Sequence, residues 1–418
     1  MNNKLLQSEK LPKGWKWVKL GEVIEEALPG FACGQRDPKG IIQVRMNNVD
    51  TFGNLILNDF IRVPANDELV KKYALKKDDV LFNNTNSVEL VGKTAIFKNH
   101  SEPVVYSNHF TRIRPIENLL LPVYLAKWLL NQWQNKIFEK ICNRWVGQSA
   151  IKNGKLLNLY IPLPSLSEQK KIVKILEEKL DAVEKAKKAA EEKLRAANTL
   201  KQSYLDQIFN EEKLQKNLPQ GWNWIKLGDV CEKMSNGTST LQNQEKIGLP
   251  VTRIETISKG YIDKEKVGWI DLCLSDVASF QLNIGDILVS HINSVKCLGN
   301  CAIYSGHPNI LIHGMNLLRL QIKDADSEYV FNFLKSNTAK KYFENNARRA
   351  IGQASINIQV MSKLRIPLPR IEDQKRIAKN LNHQFEKTDK LAENIQNELE
   401  LINKLPRSYL KQAFEGKL

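Results

Sequence analysis

Two stretches of this chain, Pro162 to Phe209 and Pro367 to Phe414, each carry an apolar residue every three or four positions and contain no glycine. In the first the stripe runs Val173, Leu176, Leu180, Val183, Ala186, Ala190, Leu194, Ala197, Leu200, Tyr204, Ile208. In the second it runs Leu381, Phe385, Thr388, Leu391, Ile395, Leu399, Ile402, Leu405, Tyr409. About 40 residues rising roughly 1.5 Å each make a rod near 60 Å long. A sustained stripe on a Lys/Glu/Ala-rich background needs a partner along its whole length, which is the condition for a coiled coil. Ser165 precedes Glu168 at capping-box spacing and marks the start of the first rod. The second carries Pro406 where the first has Lys201. An interior proline loses a hydrogen bond and clashes backwards, so a kink or break is expected near Leu405.

The rods belong to a repeat shifted by about 205 residues that runs through the whole chain, and such a repeat outranks any local pattern. Leu11-Pro12-Lys13-Gly14-Trp15-Lys16-Trp17 returns as Leu218-Pro219-Gln220-Gly221-Trp222-Asn223-Trp224. These openings read as short strands whose tryptophans belong to a core rather than to a stacking surface. Lys77-Asp78-Asp79-Val80-Leu81-Phe82 returns as Ile284-Gly285-Asp286-Ile287-Leu288-Val289, a turn feeding a buried strand. An amphipathic helix is expected from about 123 to 142 and again from about 328 to 344. In the first copy its buried stripe would be Tyr124, Trp128, Trp133, Ile137 and Ile141. Ile161-Pro162-Leu163-Pro164 and Ile366-Pro367-Leu368-Pro369 lead into the rods.

Between these matched segments the copies diverge, at 27–67 against 232–274 and in the polar loops Asn83–Ser87 against Ser290–Ser294. Short β-type runs are expected there at Ile41–Arg45, Leu55–Leu57 and Val251–Ile254. Gly92-Lys93-Thr94 looks like the end of a phosphate-binding loop, but Ser87 stands where that loop needs its first glycine. A turn with an exposed lysine is the expectation. The pattern is α+β: two pseudo-repeated domains of short strands plus helices, joined by two long helices. Paired antiparallel within the chain, those helices would give approximate two-fold symmetry. The expected segments are 1–164 and 211–369 for the domains, 165–210 and 370–418 for the helices.

The chain has 418 residues and a formal net charge of +16, which favours a polyanionic partner, most often nucleic acid. Six scattered cysteines lack paired zinc-ligand spacing, so reduced thiols and no metal are expected. Neither a membrane-spanning apolar run nor a secretory opening is present in the sequence, so a cytoplasmic location without membrane contact is expected.

Taken together, the paired Gly-Trp openings, the Asp79 and Asp286 turns, the Gly147-Gln148 and Gly352-Gln353 loops, and the handover into Glu168-Gln169-Lys170-Lys171-Ile172 and Asp373-Gln374-Lys375-Arg376-Ile377 resemble one family over almost the whole chain. That family is the specificity (S) subunits of Type I restriction–modification enzymes. The resemblance implies a non-catalytic subunit with two target recognition domains, each reading one half of an asymmetric bipartite site in double-stranded DNA. The helices would set the spacing and dock two methyltransferase (M) subunits, through which restriction (R) subunits join. Chemistry would reside in those partners: adenine-N6 methylation with S-adenosylmethionine, and cleavage driven by ATP with Mg. Half-sites about one helical turn apart imply a non-specific gap of roughly 5–8 base pairs.

Side chains that can read base edges in the divergent loops are the candidates for specificity. In the first domain they are Arg36, Arg45, Asn47, Asn84, Asn86, Lys93 and Gln148. In the second they are Asn236, Thr238, Arg253, Asn293, Lys296 and Gln353. An unaided enzyme is disfavoured, because the chain has neither the Asn/Asp-Pro-Pro-aromatic segment of an adenine methyltransferase nor a phosphate-binding loop. A coiled-coil scaffold explains the rods but not two basic domains with divergent polar loops. A solitary or regulatory S subunit is the remaining alternative.

Overall fold

A computed structural model describes residues 11–294, 297–350 and 353–418. The chain divides into two compact units. The first takes the chain up to Glu191 together with Asn397–Leu418; the second is Glu192–Gln396. The boundary therefore falls inside each long helix.

The first unit is built on a four-stranded antiparallel sheet ordered Ile24–Pro29, Phe110–Pro115, Val80–Asn83, Thr94–Ile96. Strand residues alternate between faces, and the core follows that period. Val80 and Phe82 join Ile113 against Tyr124, Leu125, Trp128 and Leu129 of the helix Pro122–Gln134. Leu81 and Ala95 point the other way, into a cluster with Ile42, Val44, Val104 and Tyr106. That second layer is a three-stranded sheet of Ile61–Val63, Ile41–Val44 and Val104–Tyr106, its last pair parallel. Of the expected run Leu55–Leu57 only an isolated bridge, Val49 with Leu55, is formed.

The opening strand Lys16–Lys19 pairs with Tyr160–Leu163, so the Pro162 end of the handover is strand and the helix begins at Leu166. The Glu168 amide donates to Ser165 Oγ at 3.3 Å, one half of the capping box. Trp15 is buried as expected, while Trp17 is half-buried.

The expected single helix from 123 to 142 is two, Pro122–Gln134 and Ile137–Ile141, separated by Lys136 in the left-handed region at φ 60°. The break turns Phe138 inward against Phe82, with ring centroids 5.1 Å apart; Ile137 stays only partly covered. The second unit is interrupted likewise, into Ser327–Leu334 and Asn337–Asn346. There Ser336 Oγ accepts from the Ala339 amide and restarts the helix.

The second unit repeats the main sheet as Cys231–Asn236, Leu317–Ile322, Ile287–Ser290, Cys301–Ile303. Ile287 and Val289 face its helices, and Leu288 faces away. Its second layer is slighter, a pair of strands Leu249–Val251 and Gly268–Ile270. A parallel bridge between Val251 and Ile312 stands where the first unit has a parallel strand.

Each long helix is 44 residues, Leu166–Phe209 and Ile371–Phe414. In the first unit Ile172 and Leu176 share the core with Leu410, Ala413 and Phe414. In the second, Leu205 and Phe209 share it with Ala378, Leu381 and Phe385. The helices are antiparallel there: Lys201 pairs with Asp389 at 2.6 Å, while Phe209, further along, meets residues further back.

The buried positions Leu176, Val183, Ala190 and Ala197, and Leu381, Thr388, Ile395 and Ile402, recur every seven residues, the seam of a coiled coil. Two residues of the expected stripes lie outside it: Ala186 is exposed, and so is Leu391, at 46%. The helix also runs unbroken through Pro406, contrary to the expected break. Proline costs the bond to the carbonyl one turn back, but burial of Leu410, Ala413 and Phe414 beyond it holds the last turns helical.

Candidate nucleic-acid interface

In the first unit the expected residues fall into two groups. Arg36, Asn47 and Gln148 are exposed. Arg45 is half-buried: its Nη2 donates to the Cys33 carbonyl at 2.7 Å and its Nε to Gln43 Oε1 at 3.3 Å. Partial burial, and after it the nearby Arg36, pulls the Arg45 guanidinium below its ordinary value. Arg36 and Arg45 thus share one corner of the unit.

The other group holds loops in place. Asn84 Nδ2 donates to the Asn108 carbonyl and to Thr111 Oγ1, and its Oδ1 accepts from Thr85. Asn86 bonds Asn83 Oδ1 and the Ser87 amide. Lys93, expected on an exposed turn, is only 6% exposed. Its Nζ donates to the carbonyls of Met46 and Val49. Burial lowers its pKa. It pins the Met46–Asn48 turn that displays Asn47, and it was misjudged because a lysine after a turn glycine usually faces water. Gly92 is required there for the fold: its φ is +94°, and a Cβ would strike the Phe138 ring.

Asn48 carries a role that pattern alone did not reveal. Its Oδ1 accepts from the Arg45 amide at 2.9 Å, and its Nδ2 donates to the Ile56 and Asp59 carbonyls. Thr256 does the same in the second unit, accepting from the Arg253 amide at 2.8 Å and donating to the Lys266 carbonyl. The repeat itself, with Arg three residues before a small polar residue in both copies, was the available signal.

In the second unit Asn236, Arg253 and Gln353 are exposed. Arg253 Nε donates to Gln242. Thr238 is half-buried and shares a hydrogen bond with the Thr240 hydroxyl at 2.7 Å. Asn293 is tied to Ser290 Oγ and to the Ser294 amide. Lys296 lies outside the described residues.

Asn236 also borders a cavity of about 490 Å³ shared with His291, Ile292, Arg348, Ile358 and Val360. At the equivalent position the first unit carries a polar network: Thr111 Oγ1 donates to Asn153 Oδ1 at 3.1 Å, and Asn153 Nδ2 to the Ala27 carbonyl at 3.0 Å. In the second unit Leu318 and Ile358 replace Thr111 and Asn153, and His291 replaces Asn84. His291 is 8% exposed, its Nδ1 has no partner among the described residues, and burial lowers its pKa, which favours the neutral ring. Neither His291 nor Arg348 stood out in the sequence, because the cavity exists only once the strands are paired.

In both units a hairpin is fastened to the strand that follows the main-sheet loop. In the first, Asn143–Trp145 pairs with Gln148–Ala150, which pairs with Thr85–Asn86. In the second, Arg348–Ala350 pairs with Gln353–Ser355, which pairs with Ile292–Asn293. Gln148 and Gln353 therefore stand at equivalent, exposed hairpin positions.

Among the described residues no group of three or more His, Cys, Asp or Glu could hold a metal ion, and the cysteines are free. Among them, too, no helix is long and apolar enough to cross a membrane. The geometry is that of a scaffold displaying polar side chains on short loops.

Comparison with known proteins accords with this. The profile of the Type I restriction modification DNA specificity domain matches twice, at residues 12–193 and 219–401. The EcoKI Type I restriction enzyme specificity subunit of Escherichia coli is 25% identical over 99% of this chain and 91% of its own. A provisionally named MjaX specificity subunit of Methanocaldococcus jannaschii is 41% identical over 215 residues, half the length of each chain. The fold matches an HsdS subunit from Thermoanaerobacter tengcongensis with TM-score 0.64 at 23% identity, over 98% of this chain and 99% of that one. It also matches, with TM-score 0.75 at 22% identity, a chain from a structural study of Type I restriction–modification assembly, over 98% and 100%. With the specificity domain repeated over most of its length, this chain belongs to the non-catalytic DNA specificity subunits of Type I restriction–modification systems.

Proposed function

We propose that each unit reads one half of an asymmetric, bipartite site in double-stranded DNA, and that the paired helices set the spacing between halves and dock two M subunits. R subunits join through that M–S core. S-adenosylmethionine, ATP and Mg are held by those partners, and the assembly works in the cytoplasm. One observation carries this reading: two equivalent scaffolds display unlike exposed polar side chains, while the helix seams repeat. Arg36, Asn47 and Gln148 are the readers in the first unit; Asn236, Arg253 and Gln353 are those in the second. Asn84, Asn86, Lys93, Thr238 and Asn293 position them. Arg45 does both. Lys296 remains a candidate on its sequence position. The net charge of +16 supplies salt-dependent affinity for phosphates, onto which these few contacts add specificity.

Mapping N6-methyladenine across a genome in cells producing this chain with an M subunit tests the proposal. The expected result is one new bipartite motif methylated once per strand, with a gap of roughly 5–8 base pairs. Exchanging residues 1–164 for another family member's domain should then change one half only. A folded complex with M that adds no methylation would favour the solitary or regulatory alternative.

A further inference from the structure

Trp145 and Val146 lie at the tip of the first unit's hairpin, 58% and 105% exposed. The hairpin is not loose. Its strands are paired to each other and to Thr85–Asn86, and Arg144 Nη2 donates to the Glu139 carbonyl at 3.0 Å. Gly147 takes φ +74°, which lets the turn close. The fold thus uses Arg144 and Gly147 and the backbone of Trp145, while the side chains of Trp145 and Val146 are left largely in solvent.

The repeat supplies a second, independent observation. Arg144-Trp145-Val146-Gly147-Gln148 returns as Arg349-Ala350-Ile351-Gly352-Gln353. Arg349 also reaches back, to the Glu344 carbonyl at 3.4 Å. Both copies therefore keep a β-branched aliphatic residue before the glycine, although the first unit buries none of it. An aliphatic residue has no hydrogen bond to offer a base edge, so one kept in two domains with different polar loops serves something common to both half-sites, not their sequences. Charge identifies the partner. Residues 136–155 carry Lys136, Lys140, Arg144, Lys152 and Lys155 against the single carboxylate Glu139, and Glu89 lies in the field of Lys136 and Arg144. An apolar tip in a basic surround suits a polyanion with an apolar interior, which is duplex DNA.

We infer that Trp145 and Val146 form a wedge that presses between adjacent base pairs at the edge of the first half-site and unstacks one step, independently of sequence. This rests on the proposed reading of DNA by the first unit. Partial unstacking exposes the neighbouring base edges to Asn47 and Gln148 and locks the register of the half-site.

The test uses the M–S complex and a duplex bearing its mapped site, with 2-aminopurine scanned across the first half-site. The wild-type complex should raise 2-aminopurine fluorescence at one step away from the methylated adenine, whose own flipping by M gives a separate signal. The Trp145→Ala/Val146→Gly double variant should assemble with M, lose the signal at that step and bind both specific and non-specific duplex roughly tenfold more weakly. Val146→Ile should keep the signal. A double variant with wild-type affinity and methylation, or a wild-type complex that binds its site with no fluorescence rise apart from that of the flipped adenine, overturns the wedge but leaves half-site reading intact. A double variant that folds but no longer assembles with M assigns the tip to the methyltransferase and also overturns it. A wild-type complex that binds no duplex specifically overturns both.

Discussion

Asp79 and Asp286 occupy the same turn in the two units, yet their carboxylates meet different arginines. Asp79 takes a two-pronged contact from Arg114, at 2.6 and 2.9 Å, leaving Arg112 to pair with Glu26 at 2.7 Å. In the second unit Gln321 replaces Arg114 and Lys233 replaces Glu26. Arg319, the counterpart of Arg112, turns to Asp286 at 2.5 Å instead. Both carboxylates still accept the amide three residues before them, at 2.7 Å. The turn is thus fixed by the backbone, while its counter-charge moves along the neighbouring strand. One unit spreads its buried charge over four groups; the other concentrates it in one pair.

Removing an arginine is the sharpest way to expose that difference. Arg319→Met leaves Asp286 buried without a counter-ion and should cost the second unit about 3–5 kcal/mol. Arg112→Met should cost the first unit less, about 1–3 kcal/mol, because Glu26 is part-exposed and keeps Arg114 within 3.7 Å. Denaturant unfolding with amide exchange followed at Leu81 and Leu288 separates the units. Equal losses would break the comparison.

Where the units agree, the costs should match. Phe414 packs edge-on against Tyr124 at 5.2 Å, and Phe209 against Tyr329 at 5.3 Å. Phe414→Ala and Phe209→Ala should each cost about 3–5 kcal/mol, read by the same exchange experiment. A large asymmetry would mean that the helix ends are not equivalent.

Acid should separate the units again. Tyr106 of the first unit is replaced by His313 in the second, fully buried, with Nε2 2.8 Å from the Leu317 carbonyl. Burial, with smaller contributions from Arg319 and His291, holds the His313 pKa down at about 4. A folded-state value below the ordinary one gives stability that is complete above about pH 6.5 and is lost as pH falls toward 4. The second unit should weaken first on acidification, by on the order of 3 kcal/mol. His313→Gln should flatten that limb. His109 of the first unit is only half-buried, its pKa lowered more by burial than by Arg45, and it should add little. First-unit exchange rising earlier than second-unit exchange would reverse the assignment.

The smallest effect sharpens the agreement. Tyr124 Oη donates to the Pro162 carbonyl and Tyr329 Oη to that of Pro367, at 2.8 and 2.5 Å. Removing either hydroxyl leaves one buried carbonyl unsatisfied, so Tyr124→Phe and Tyr329→Phe should each cost about 1 kcal/mol. Unequal costs would point to a different strand-to-helix handover in one copy.

The repeat, the two long helices, the buried strand after each Asp turn and the family were all legible in the sequence, because each is carried by spacing along the chain. Periodicity survives whatever the chain packs against. The seam was legible only as a stripe: Leu391 is turned out, and the half-buried Ala392 stands on the seam side, a choice made by the facing helix. Pro406 shows the same limit, since its local preference is outweighed by burial beyond it. The candidate interface was legible as loops but not as side chains. Asn84, Asn86, Lys93 and Asn293 have the chemistry to read bases, but Asn86 and Asn293 bond within their own loops, and Asn84 and Lys93 bond groups that only the tertiary fold brings near. The His291 cavity and the bare Trp145–Val146 tip were likewise decided in tertiary structure. Sequence records which groups a residue carries; folding decides whether a partner within the chain already satisfies them.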